Sequence, residues 1–271
     1  MISMTNWKKS EIVYEIMKTL EPPLVNVSEG WIIGIDEAGR GPVIGPLVVT
    51  ALAVPENDVE LLKEMGVRDS KELSTAARDR IAIAIQGMIG ERGWKVASII
   101  CSPRRIDLNK LDSDLNSLEI KLFSEAVTST NLETETGIIR ADACDVNESR
   151  FANRLVTTLG AKWSEWTIEA EHGMDSKDLV AGGASVIAKV NRDLAISEIA
   201  VRTGIEIGSG YPSDQKTRNA VKKLLDSDLP HDCLRWSWAT VSDIWTQLHG
   251  TPVPIRSRSG GSIVQSSLED W

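Results

Sequence analysis

Apolar and polar positions alternate along this chain with two different periods, and the switches between them outline its elements. Trp7, Ile12, Ile16 and Leu20 fall on one helical stripe over residues 5–20, and Pro22-Pro23 stops it. WIIGID (31–36) and LVVTALAV (47–54) are unbroken apolar runs rich in β-branched residues, separated by ten residues heavy in Gly and Pro. They predict two strands joined by a wide loop. Helical spacing of Ile81, Ile85 and Met88 behind a capping Ser74 predicts a helix ending near Gly90. WKVASIIC (94–101) predicts a third strand. Leu115, Leu118, Leu122 and Ala126 predict a helix over 114–127 capped by Asp114. GIIRAD (137–142) and WTIEAE (166–171) predict strands four and five, with a helix at 149–160 between them and a long helix over 180–201 after them.

Strands alternating with helices predict an α/β layered domain. Two opening strands with no helix between them make its β-sheet mixed rather than purely parallel. From Tyr211 onward the pattern is helical only, and after Gly250 Ser, Gly and Pro accumulate. The expected organisation is an N-terminal helical extension (1–28), an α/β domain (29–207), a small C-terminal helical lobe (208–250) and a flexible tail (251–271).

Composition narrows the class without naming it. With 42% apolar and 25% charged residues in 271, this is an ordinary globular chain large enough for a full core. It has no apolar run near the ~18 residues that span a bilayer, and its first residues are charged rather than signal-like. A cytoplasmic address with no membrane association is expected. Cys101, Cys144 and Cys233 form no CxxC pair, and His172, His231 and His249 are scattered, so neither a disulfide framework nor a zinc site is indicated. A net charge of -9 argues against a nucleic-acid partner. Between Lys189 and Lys223, however, seven basic residues stand against four acidic ones. That excess suits either a solvated helix face or a phosphate-binding surface.

Carboxylates change the picture most. The first predicted strand ends in Asp36-Glu37, the fourth in Asp142, and the fifth leads through EAEHG to Asp175. Acids collected at strand ends repel one another, and hard divalent cations such as Mg²⁺ or Mn²⁺ relieve that repulsion. Two such ions about 4 Å apart support phosphodiester hydrolysis. Each acid taken alone also fits a cap or a surface charge. An apolar run ending in Asp-Glu suits the metal-binding strand of a nucleotide hydrolase as well, but no GxxxxGK[ST] loop accompanies it. GRGPVIG lacks dinucleotide-loop spacing and leads into a strand rather than a helix.

At GIDEAGRGPVIGPLVVTA the chain resembles the ribonuclease HII family, the type 2 ribonucleases H, and is closer to the archaeal and eukaryotic branch. RDSKEL (68–73), ADACD around Asp142, ASVIAKVNRD (184–193), GSGYPSD (208–214) and LRWSWAT (234–240) extend the likeness over about residues 31–248. The resemblance implies an RNase H-like fold, with residues 29–207 as the catalytic domain. It also implies endonucleolytic hydrolysis of RNA in RNA–DNA hybrids and of ribonucleotides embedded in DNA, leaving 5′-phosphate and 3′-hydroxyl ends. It places the catalytic, metal-holding acids at Asp36, Glu37, Asp142 and Asp175. One ion would be held by Asp36 and Asp142, and a second by Asp36, Glu37 and Asp175. Asp178 rivals Asp175, because HGMDSKD departs from the family's usual Lys-Ala-Asp run; spacing to ASVIAK favours Asp175. Substrate contacts carry over to Gly39, Arg40 and Gly41, where glycine lets backbone approach a 2′-hydroxyl, to Lys71 on phosphate, and to Tyr211 on the ribose.

The chain closes on QSSLEDW, in which Gln265, Leu268 and Trp271 resemble the short motif that docks on the sliding clamp PCNA, although the usual second aromatic is missing. A monomer serving DNA replication and repair follows as the expectation. A junction-resolvase type of nuclease on the same fold and a catalytically inactive hybrid-binding protein are the alternatives.

Overall fold

The computed structural model describes residues 30–258 and 262–263. The predicted helix at 5–20, the rest of the extension to residue 28, and the tail residues Gln265, Leu268 and Trp271 lie outside the described residues. Five strands, β1 (Trp31–Ala38), β2 (Leu47–Pro55), β3 (Lys95–Cys101), β4 (Gly137–Asp142) and β5 (Trp166–Glu171), form one sheet in the order β3-β2-β1-β4-β5. β4 runs parallel to both β1 and β5 in a mixed sheet flanked by helices. Apart from its last residue, β2 is buried at every position, as its unbroken apolar run requires of a strand covered on both faces.

The helices are α1 (Val59–Glu64), α2 (Thr75–Arg92), α3 (Pro103–Lys110), α4 (Leu115–Thr128), α5 (Glu148–Leu159), α6 (Met174–Lys177), α7 (Leu179–Thr203), α8 (Gln215–Leu224) and α9 (Ala239–His249). Their ends follow local chemistry. Ser74 caps α2 by accepting from the Ala77 amide, and Asp114 caps α4 by accepting from Ser117 at 2.7 Å. The chain leaves α2 at Gly93 in the left-handed region (φ 74°), three residues beyond the expected Gly90. Ser102 followed by Pro103 starts α3, a helix that apolar periodicity does not predict. Among the described residues, no helix is long and apolar enough to cross a membrane.

Contacts divide the chain into two compact units, interleaved in sequence. Among the described residues, one takes 30–36, Thr50–Ser98 and Phe123–Val190; the other takes Glu37–Val49, Ile99–Leu122 and the described residues from Asn191 on. The stretch 29–207 therefore contributes to both. In the first unit Leu52, Ile81, Ile85, Met88, Trp94, Val180 and Ala184 form the core. There α7 lies against β1 so closely that a Cβ on Gly34 would fall 2.2 Å from the Ala181 nitrogen and the Val180 carbonyl carbon. This approach sets the start of α7 against the strand that carries Asp36. In the second unit Val43, Ile44, Val221, Leu224, Leu234, Val241 and Trp245 form a separate core.

Candidate active site

The acids of the first unit converge because their strands are neighbours. Ile35 pairs with Ala141 in the parallel β1–β4 register, so Asp36 and Asp142 follow side by side. Their carboxylate oxygens come within 4.8 Å of each other. Asp175 is reached differently. β5 turns at Gly173 (φ 68°) into α6, whose Met174 amide donates to Asp142 Oδ1 at 3.0 Å, and Asp175 is the next residue. Asp36 and Asp175 are each only 4% exposed. Lys71 Nζ lies 3.5 Å from Asp175 Oδ2, while Asp175 Oδ1 is buried without a hydrogen-bond partner. A buried carboxylate oxygen left unpaired costs about 1–3 kcal/mol or more. A cation coordinated there would remove that cost.

The electrostatics carry the same strain. Burial pushes the Asp142 carboxyl above the usual carboxylate range and Asp175 pushes it further, against the Met174 and Gly173 amides and Lys71, which pull it down. For Lys71, burial works to lower the ammonium, but Asp175, Asp69 and Asp36 outweigh it and the net shift is upward. Lys71 is thus a cation held among acids. Its loop is fixed from behind: Ser70 Oγ lies 2.9 Å from Ser185 Oγ, and Arg78 donates to the carbonyls of Ser70 and Leu73 at 3.1 and 2.8 Å.

Asp178, the rival of Asp175, is fully engaged elsewhere. Its Oδ1 accepts from the amides of Val180 and Ala181 at 2.9 and 2.8 Å and so caps α7. Its Oδ2 takes Arg140 at 2.5 Å.

Glu37 is the residue after Asp36 on β1, at the point where the chain passes into the second unit. That unit holds the expected substrate residues other than Lys71, which belongs to the first. Gly39 sits at φ 88°, and a Cβ there would lie 2.7 Å from the Pro46 carbonyl, so only glycine fits. Arg40 donates to Asn116 Oδ1 at 2.7 Å and pairs with the buried Glu119 at 3.3 Å, which aims a side chain still 37% exposed. A Cβ on Gly41 would touch Tyr211 Cε1 at 3.4 Å, so the bare backbone lets the ring lie close. Tyr211 is itself 38% exposed, with the Arg192 guanidinium 5.3 Å from its centroid.

Sequence reasoning missed the residue that holds this loop. Arg235 is fully buried and donates to the carbonyls of Gly39 (2.5 Å), Arg40 (2.7 Å) and Gly45 (3.1 Å). Burial pulls its guanidinium down to about 10, still far above neutrality. The available signal was an arginine set among Leu234, Trp236 and Trp238, where a solvated side chain is out of place.

The family model for ribonuclease HII matches residues 33–241. A ribonuclease HII of Methanococcus maripaludis is 38% identical over 224 residues, covering 82% of this chain and 90% of that protein. One of Methanocella arvoryzae is 40% identical over 212 residues, covering 77% and 89%. Among solved structures, the ribonuclease H2 of Pyrococcus horikoshii superposes with a TM-score of 0.68 at 33% identity, covering 80% of this chain and 98% of that one. The ribonuclease HII in the PCNA:RNase HII complex from Archaeoglobus fulgidus does so at 0.68 and 31%, covering 89% and 100%. The fold is RNase H-like, and the chain belongs to the ribonuclease HII family of ribonuclease H enzymes.

Proposed function

We propose that this ribonuclease H is an endonuclease that hydrolyses the RNA strand of RNA–DNA hybrids and single ribonucleotides embedded in DNA, leaving 5′-phosphate and 3′-hydroxyl ends. The observation that carries the reading is the meeting of Asp36 and Asp142, whose carboxylate oxygens come within 4.8 Å, beside an Asp175 that raises the Asp142 carboxyl and has a buried oxygen left unpaired. Oxygen-only donors at this density fit Mg²⁺ or Mn²⁺. Asp36, Glu37, Asp142 and Asp175 would hold two such ions. Bound there, they supply an activated water and countercharge for the departing 3′-oxygen. Asp175, not Asp178, is the fourth acid in this reading, because both Asp178 oxygens are already spent on α7 and Arg140.

The chain's own residues do the rest. Lys71 brings positive charge beside the acids and meets the phosphate to be cut. Arg40, steadied by Asn116 and Glu119, holds a neighbouring phosphate. The Gly39–Gly41 backbone reads the 2′-hydroxyl, and Tyr211 stacks on the sugar that carries it. A loop that reads a ribose hydroxyl is of no use to a DNA-only resolvase, which sets that alternative aside. The enzyme acts as a cytoplasmic monomer in this reading. The test is a DNA duplex with one ribonucleotide, assayed with and without Mg²⁺ or Mn²⁺. Cleavage on the 5′ side of the ribonucleotide, abolished by EDTA, is the expected result. Binding without cleavage at any metal concentration would leave the inactive hybrid-binding protein.

Clamp docking belongs to the same proposal. A ribonuclease HII is known in complex with PCNA from Archaeoglobus fulgidus, and Gln265, Leu268 and Trp271 resemble the clamp-docking motif apart from its second aromatic. Replacing Leu268 and Trp271 by Ala is expected to weaken PCNA binding at least tenfold, roughly the loss of one buried anchor. Single-ribonucleotide cleavage should not change. Undiminished clamp affinity in that variant removes the tail from the reading.

A further inference from the structure

Arg256 lies within the Ser-, Gly- and Pro-rich stretch that composition reads as tail, yet it is 5% exposed and is the second residue of the short strand β6 (Ile255–Arg256). Its Nε donates to Asp107 Oδ2 at 2.8 Å and its Nη1 to Asp232 Oδ1 at 2.7 Å. Nη2 serves the carbonyls of Asp232 and Leu234 at 3.1 and 3.2 Å, and the guanidinium lies 4.1 Å from the Trp236 ring centroid. Asp107, on α3 and 4% exposed, is equally committed. Beyond Arg256 it accepts from the Trp236 amide (3.0 Å) and from the amide and hydroxyl of Ser237 (3.0 and 2.7 Å).

The two charges therefore grip one short piece of backbone, 232–237, from both ends. At its middle stands Arg235, whose own fork fixes the Gly39, Arg40 and Gly45 carbonyls. A buried ion pair adds little net stability over an apolar pair of the same size, so its usefulness lies in fixing geometry. We propose that Arg256 and Asp107 are positioning residues for the Gly39–Gly41 loop, acting through Arg235. The segment that carries Arg256 is then part of the substrate-binding unit rather than a passive lead into the tail. This rests on the reading of Gly39–Gly41 as the loop that meets the ribose. Such a loop tolerates displacements of only about 0.5 Å before recognition suffers.

The variants that test it are Arg256→Ala, Arg256→Lys and Asp107→Asn in the full chain, assayed on the single-ribonucleotide duplex. Hybrid affinity by fluorescence anisotropy and Mn²⁺ affinity by titration are measured alongside. Arg256→Ala is expected to raise KM and weaken hybrid binding about tenfold, with kcat within about threefold of the parent, the pattern of lost binding rather than lost chemistry. Arg256→Lys, with the charge but not the fork, should fall between. Mn²⁺ affinity should be unchanged in all three. A purely structural role would lower Tm and leave KM and hybrid affinity at parental values well below Tm, and that result overturns the proposal. If Arg256→Ala does not fold, the other two variants decide: parental KM and hybrid affinity in both sinks it. Parental protein that neither cleaves nor binds the duplex sinks the ribose-loop reading and this inference together. Active parental protein with unaffected variants sinks this inference alone.

Discussion

Replacing Asp142 by Asn is expected to lower single-ribonucleotide cleavage at least about a thousandfold while hybrid binding stays within a few-fold, because the change removes a metal-holding oxygen and touches no substrate contact. The same variant should not be less stable without metal. Burial and Asp175 raise the Asp142 carboxyl in the folded protein, so its proton is held more tightly folded than unfolded. A carboxyl shifted this way favours folding below its unfolded value, near 3.8, and loses that contribution as pH rises through the raised folded value. At neutral pH the ionised Asp142 is therefore a liability in the metal-free protein, and the neutral amide removes it. Thermal unfolding in EDTA should give a Tm equal to or above that of the parent, and added Mg²⁺ should raise the parental Tm more than the variant's. Cleavage at parental rates would falsify the assignment of Asp142. A Tm several degrees lower in EDTA would instead mean that the carboxylate is a structural partner of the Met174 amide.

The way the acids meet shows what a linear sequence can and cannot display. β4 and β5 run over the residues predicted for them, 137–142 and 166–171, and the Ser74 and Asp114 caps are in place. Strand ends are local features, so Asp36 and Asp142 could be picked out as candidates. Asp175 could not be separated from Asp178 on the same footing. The difference lies in α7, which packs over Gly34 and consumes Asp178 as its cap, while Asp175 stays with Lys71 and raises the Asp142 carboxyl. That packing is a tertiary event with no periodic signature. Three helices, α1, α3 and the four-residue α6, also escaped the sequence reading for want of an apolar stripe. PRRIDLNK carries only Ile106 and Leu108 as apolar side chains, although Ser102-Pro103 announces its start, and VELLKE is too short to show a period. Arg235 escaped for another reason: its acceptors lie 190 to 196 residues away, and nothing local records them. Gly39 and Gly41 were singled out for close approach to a nucleotide; what the structure adds is a left-handed backbone at Gly39 and a ring lying against Gly41.

Arg235→Met should produce the largest combined loss of stability and substrate binding of any change outside the acids. Methionine fills much of the volume but cannot donate, and the carbonyls of Gly39, Arg40 and Gly45 lose a shared cation. Buried acceptors left unpaired cost about 1–3 kcal/mol each, and relaxation recovers part of that, so a net destabilisation of about 3 kcal/mol is reasonable. For a chain of this size, that lowers Tm by about 6–12 °C. The loop that the arginine held would then wander, and hybrid affinity and kcat/KM should fall by about a hundredfold or more, as a 1 Å misplacement does elsewhere. Arg235→Lys should rescue little, because one ammonium cannot reproduce a planar fork reaching three carbonyls. Because the guanidinium, even pulled down to about 10, stays charged around neutrality, the loss should not depend on pH there. Metal affinity offers the control. The Arg235 fork serves the carbonyls of Gly39, Arg40 and Gly45, so Mn²⁺ titration of the variant should match the parent if only the loop is released. A parallel fall in Mn²⁺ affinity would mean that Arg235 supports the whole site rather than the loop alone.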